Sequence, residues 1–159
     1  MGKTYLAHRL QHIIGCDVVH LDAFKHDFNE TNDIKLRPLV FAKASLIMKD
    51  FIAREKDLIV EGCYIPKDYR SYFSESENSL IRSVFIVMSR QYIQDHFEDI
   101  KKYSDIIEER KNEVLDMQRL INCSKSFKQD CLENGTYCHE IDKDYSIDKL
   151  TLLTKMRFM

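Results

Sequence analysis

The segment that decides the fold is GKTYLAHRLQHIIG at residues 2–15, followed by CDVVHLD at residues 16–22. Lys3–Ile14 has a helical pattern and ends at Gly15, a residue that commonly closes helices. Asp17–Leu21 is a short, β-branched apolar run that predicts a strand. Three more runs of this kind follow along the chain, at Asp57–Glu61, Ser83–Met88 and Tyr137–Ile141. Because these runs are almost continuously apolar, we expect strands covered on both faces of a parallel sheet.

Helical patterns lie between the predicted strands. Pro38–Arg54 starts with a proline typical of a first helical turn, and Leu39, Ala42, Leu46 and Phe51 form its apolar stripe. The other predicted helices are Gln91 to about Leu120, Ser124–Asn134 ending at Gly135, and about Ser146 to Met156; Ser74–Ser79 is predicted to be a surface loop. The alternation predicts right-handed βαβ units in one α/β domain of three layers that spans residues 1–159.

Composition narrows the possible functions. The chain has 159 residues, a formal net charge of −2 and 44% hydrophobic residues, which is the profile of one globular domain. A near-neutral charge without basic stripes argues against nucleic acid as a partner. No apolar run is long enough to span a membrane, and no signal-peptide core opens the chain. We therefore expect a cytoplasmic protein with no membrane or nucleic-acid partner; its oligomeric state is open.

The cysteines and histidines do not form a recognisable metal or disulfide pattern. The five cysteines are scattered and lack a CxxC pair, so we expect reduced thiols. His8 and His12 have the i, i+4 spacing of a two-histidine zinc site, but Arg9 stands where the H-E-x-x-H motif requires glutamate. We therefore predict no zinc site.

Gly2-Lys3-Thr4 has the sequence of the second half of the phosphate-binding loop G-x-x-x-x-G-K-[ST]. At such a helix start, the unpaired backbone amides and the helix dipole both favour an anion. We expect the amides from Gly2 to Tyr5 to bind nucleotide phosphates and Lys3 to reach the β- and γ-phosphates. The Thr4 hydroxyl is the predicted Mg²⁺ ligand.

Three segments together carry a family resemblance: GKTYLA at residues 2–7, HLDAF at residues 20–24 and IVEGCY at residues 59–64. In this order they resemble the P-loop kinases of the nucleoside monophosphate kinase class, which includes adenylate-kinase-related small-molecule kinases. The resemblance implies a P-loop NTPase-like α/β fold, ATP as co-substrate and Mg²⁺ as cofactor. The first strand and the first half of the loop of that pattern are absent from this chain.

The predicted strands end in polar residues, at the edge where open parallel sheets bind ligands. Asp22 is our candidate for orienting or deprotonating the acceptor, with a further role on Mg²⁺, and it could instead only cap the next segment. Glu61 could hold a metal-bound water or contact the acceptor, and it could equally be a solvated carboxylate before a turn. Gly62 is expected to let the backbone approach a ligand.

Three arginines complete the predicted site. The region near 91–123 corresponds to the helical lid of such kinases, so Arg110 and Arg119 are candidates for stabilising charge on the transferred phosphoryl group. A charge run on a helix is also typical of a solvated face. Arg70 could bind an anionic group of the acceptor or be an ordinary surface arginine.

We therefore predict an ATP-dependent phosphotransferase that moves the γ-phosphoryl of MgATP to a small-molecule acceptor such as a nucleotide. Two alternatives stay open: a catalytically impaired nucleotide-binding or regulatory module of the same fold, and a toxin-like nucleotide-sugar kinase. The resemblance places the absent strand between the strands that end at Glu61 and at Ser89. Without it we expect two unpaired inner strand edges and an apolar slot in the core, so residues 1–159 alone should be poorly stable or aggregate.

Overall fold

The computed structural model describes residues 2–107, 116–145 and 147–148. The chain divides into two compact units, one comprising Gly2–Ile81 and the other beginning at Arg82. The first unit contains α1 (Gly2–Ile14), β1 (Asp17–His20), α2 (Asp33–Ala53), β2 (Leu58–Glu61) and α3 (Glu75–Leu80), with 3₁₀ turns at Leu21–Asp27 and Tyr69–Tyr72. The second contains β3 (Val84–Met88), α4 (Arg90–Asp95), α5 (Phe97–Ile107), α6 (Met117–Glu133) and β4 (Tyr137–Ile141).

The strands pair in parallel, as predicted. In the first unit β1 pairs with β2, in a register that sets His20 opposite Glu61. In the second unit β3 pairs with β4, in a register that runs from Val84–Tyr137 to Met88–Ile141. The described strands therefore form two two-stranded sheets, one in each unit. This mixture of helices and parallel strands is the expected α/β pattern at a coarse level.

The N-terminal unit has a core built from α1, α2 and the segment after β2. Phe41 of α2 is 1% exposed, and its ring meets the rings of Tyr69, Tyr72 and Phe73 edge-on. Edge-on contacts of this kind add stability beyond the buried area. The other buried apolar side chains of this unit are Leu6, Ala7, Leu10, Leu21, Leu36, Val40, Ala44 and Tyr64.

The prediction for α2 was wrong in both its start and its buried face. The helix begins at Asp33, because the Asn32 side chain caps it by accepting hydrogen bonds from the amides of Ile34 and Lys35. Three members of the predicted stripe are exposed, Leu39 at 43%, Leu46 at 68% and Ala42. The buried residues of the helix are Leu36, Val40, Phe41, Ala44 and Ser45. The helix is apolar on several faces, so residue type alone did not distinguish the buried one.

The single helix predicted from Gln91 to about Leu120 was also wrong. It is interrupted at His96, whose φ of −118° and ψ of 19° lie outside the helical range, and a separate helix starts at the Asp116 cap. Ser124, the predicted start of the next helix, lies inside α6. Its hydroxyl donates to the Met88 carbonyl at 2.6 Å and accepts from the Met88 amide at 3.0 Å, which ties α6 to β3.

Two shorter segments were predicted as well. Ser74–Ser79 is not a loop: Ser74 and Glu77 form a reciprocal capping box that starts α3. The predicted helix from Ser146 to Met156 lies outside the described residues except at 147–148.

All five cysteines are free thiols, as predicted. Among the described helices, none has the length and apolar character needed to cross a bilayer.

Candidate functional site

The start of α1 and the end of β2 meet through a direct hydrogen bond. The Thr4 hydroxyl, in the first turn of α1, donates to Glu61 Oε1 at 3.1 Å. Helix α1 packs on both β1 and β2, which brings its first turn to the carboxyl ends of these strands. The first amides of a helix have no partner within the helix, so this edge offers donors and a positive dipole end beside a carboxylate.

Glu61 is the most unusual residue of this edge because it is a buried carboxylate. It is 8% exposed, and one of its oxygens, Oε1, accepts from Thr4. The other oxygen, Oε2, is buried and has no hydrogen-bond partner among the described residues. A buried polar atom without a partner costs about 1–3 kcal/mol, and more when the group is charged. A donor or a cation bound at Oε2 would remove this cost.

His20 is the second contact of the same carboxylate oxygen. It ends β1 directly opposite Glu61, and its Nδ1 lies 2.6 Å from Glu61 Oε1. His20 was predicted to lie in a strand, but no functional role was predicted for it. The signal that could have found it was positional: both residues end neighbouring parallel strands, so equal register brings their side chains together.

Gly62 directly follows β2, and Asp22 is the second residue after β1. The Cys63 thiol donates to Asp22 Oδ1 at 3.3 Å, so the loops after β1 and β2 are joined by a side-chain contact. Gly62 has φ of +148°, and a Cβ at this position would lie 2.7 Å from Leu21 Cβ. The close approach that Gly62 permits is thus to the buried Leu21 side chain; an approach to a ligand stays a prediction.

The remaining predicted site residues are not joined to this cluster by the contacts above. Lys3 is exposed at the start of α1, and Tyr5 is 60% exposed with the Arg9 guanidinium 5.9 Å from its ring. Arg70 is exposed and lies over the Tyr69 ring at 5.3 Å. Arg119 is in the first turn of α6, in the other unit, and Arg110 lies outside the described residues.

The cluster can be tested for its fit to Mg²⁺. Within the described ranges, no three His, Cys, Asp or Glu side chains are arranged to hold a metal ion. Mg²⁺ in nucleotide sites uses few protein ligands, mostly oxygens, and completes its shell with phosphate oxygens and water. The Thr4 hydroxyl and the unpartnered Glu61 Oε2 are oxygen ligands of this kind, so these residues fit a nucleotide-borne Mg²⁺ better than a resident transition metal.

Comparison with known proteins identified no relative of this chain. The chain matches no protein-family model, no curated protein and no solved structure.

Proposed function

We propose that this chain is a P-loop-type phosphotransferase domain that binds MgATP at the start of α1 and transfers the γ-phosphoryl to a small-molecule acceptor. The observation that carries the proposal is the Thr4–Glu61 pair with its unpartnered Oε2. The phosphate-loop half-motif requires its threonine near an acidic residue at a strand end, because both act on the same cation. Thr4 and Glu61 are 57 positions apart in the chain, and a direct hydrogen bond joins them.

The strand arrangement supports the same proposal. Parallel strands place their carboxyl ends at one edge, and open parallel sheets bind ligands there. β1 and β2 end at His20 and Glu61, next to the first turn of α1.

Each residue then has a defined task. The first amides of α1 and the Lys3 ammonium bind the phosphates, because exposed donors and a cation compensate their charge. The Thr4 hydroxyl and Glu61 would hold Mg²⁺, which when bound neutralises charge on the β- and γ-phosphates. Asp22 orients the acceptor hydroxyl or phosphate, and Arg110 and Arg119 stay candidates for stabilising the transferred group.

The test is ADP formation by the full chain from ATP and Mg²⁺ with a panel of nucleoside monophosphates and nucleotide sugars. We expect at least one acceptor to stimulate ADP release and Lys3→Ala to abolish it. Thr4→Ser keeps the hydroxyl and should retain most of the activity, whereas the similarly sized Thr4→Val should lose it. Equal turnover in Thr4→Val and Thr4→Ser would refute the role of Thr4. MgATP binding without turnover on any acceptor would favour the nucleotide-binding module instead.

A further inference from the structure

His20 contacts the same oxygen of the buried carboxylate as the first turn of α1 does. Its Nδ1 is 2.6 Å from Glu61 Oε1, a short distance for a nitrogen–oxygen hydrogen bond. In the tautomer that carries its proton on Nδ1, the His20 ring donates this hydrogen bond to the carboxylate. Oε1 therefore has two hydrogen-bond partners, the Thr4 hydroxyl and the His20 ring, and Oε2 has none among the described residues.

The His20 ring is itself supported by α1. Its centroid lies 5.3 Å from that of His8, and the two rings are tilted by 47°. His8 and Thr4 are four residues apart in α1, so they lie on the same face of the helix, one turn from each other. One face of α1 thus contributes a direct contact to Glu61 through Thr4 and an indirect contact through His8 and His20.

From this arrangement we propose that His20 is a positioning residue for Glu61. Its Nδ1–H fixes the carboxylate so that Oε1 stays on Thr4 and Oε2 stays available to a cation. The inference rests on the proposed function, because the cation is the Mg²⁺ of MgATP. Residues that orient metal ligands typically change metal affinity by about 10–100-fold when they are removed.

Two substitutions separate positioning from a merely structural role. In His20→Asn the side-chain amide N–H lies close to the position of the His20 Nδ1. In His20→Gln the amide N–H lies close to the position of the His20 Nε2 instead. His20→Asn should therefore keep the donor to Glu61, whereas His20→Gln should displace it. His26→Gln, at an exposed position in the same unit, is the matched control for a polar replacement of histidine.

The experiment is calorimetric titration of the full-length variants with ADP, with and without Mg²⁺. We expect Mg²⁺ to tighten ADP binding in the wild type and in His26→Gln, and His20→Gln to lose about 10–100-fold of the Mg²⁺-dependent affinity. The Kd for Mg²⁺-free ADP should stay the same in all variants. His20→Asn should recover most of the loss.

Four outcomes would overturn the inference. In the first, His20→Gln keeps the full Mg²⁺ effect. In the second, His20→Asn and His20→Gln are equally impaired. In the third, His20→Gln weakens Mg²⁺-free ADP binding as much as Mg²⁺-bound ADP binding, and either of these two results would mean a structural role. In the fourth, the wild type shows no Mg²⁺-dependent ADP binding, and the proposed function then fails together with the inference. Normal Mg²⁺-dependent binding by the wild type with unaffected variants refutes only the role of His20.

Discussion

Gly62 is the position in the first unit where one added methyl group should be most damaging. Its φ is +148°, a region that residues with a Cβ rarely adopt, and forcing a residue into it costs about 1–3 kcal/mol. The new Cβ would also lie 2.7 Å from Leu21 Cβ. Leu21 is 0% exposed, and its Cβ is attached directly to the backbone, so it cannot rotate away.

The two effects together set the expected magnitude. Overpacking of a well-filled core costs about 1–3 kcal/mol. Gly62→Ala should therefore lower the free energy of unfolding by about 2–6 kcal/mol, the sum of the backbone strain and the overpacking. Gly15→Ala is the matched control, because Gly15 has φ of +76° but a Cβ added there would meet nothing within 4 Å. In Gly15→Ala only the strain of a left-handed residue should lower the free energy of unfolding, by about 1–2 kcal/mol.

The assay is urea denaturation of the full chain followed by far-UV circular dichroism, since the sequence contains no tryptophan. With a denaturant slope of about 2 kcal/mol per molar urea, the midpoint should fall by about 1–3 M for Gly62→Ala and by about 0.5–1 M for Gly15→Ala. Equal shifts for the two variants would refute the reasoning, because the contact with Leu21 would then contribute nothing.

Four further outcomes follow from other parts of the chain. Ser124→Ala removes both hydrogen bonds to Met88 and should lower the free energy of unfolding by about 1–3 kcal/mol in urea, whereas an unchanged midpoint would mean that water replaces the hydroxyl. Asn32→Ala removes the cap of α2 and should lower it by about 1 kcal/mol in the same assay. Burial raises the pKa of the Cys138 thiol from 9.0 to about 12, so iodoacetamide at pH 8.5 should label the exposed Cys123 well before Cys138, as peptide mass spectrometry would show. Because the folded-state pKa is the higher one, the stability that Cys138 contributes is complete below pH 9 and falls as the pH rises from 9 to about 12, which pH-dependent melting can follow.

The strands were predictable because each is a short and almost continuous apolar run. Tyr137–Ile141 was predicted with both ends correct, and the other three strands were each predicted one residue too long at one end. Gly15 was likewise predictable as a helix end, since its φ of +76° suits a residue without a side chain. These features depend on local sequence alone.

The helices were less predictable where local signals competed. Pro38 suggested a helix start, but the Asn32 cap begins α2 earlier, and Pro38 lies within the helix. Ser124 was predicted to start a helix, but it lies inside α6, and its hydroxyl bonds to Met88 of a different element. Which face of α2 is buried depended on the aromatic cluster around Phe41, and no periodicity within α2 itself could identify that cluster.

The candidate site was predictable only in part. The motif pointed to Thr4, and the strand ends pointed to Glu61, but their hydrogen bond depends on how α1 packs on β2. The contact of His20 with Glu61 requires the register of β1 against β2, which depends on pairing between distant segments. A single sequence carries no local trace of that register.

We propose that the start of α1 and Glu61 together bind MgATP. Calorimetric titration of the full chain with MgATP tests it most directly, with Lys3→Ala, Glu61→Gln and, as a control at an exposed position, Lys35→Ala. We expect binding by the wild type and Lys35→Ala, a Kd about 10–100-fold weaker for Lys3→Ala, and loss of the Mg²⁺ dependence in Glu61→Gln. Absence of binding by the wild type, or the same Kd and Mg²⁺ dependence in all four proteins, would contradict the claim.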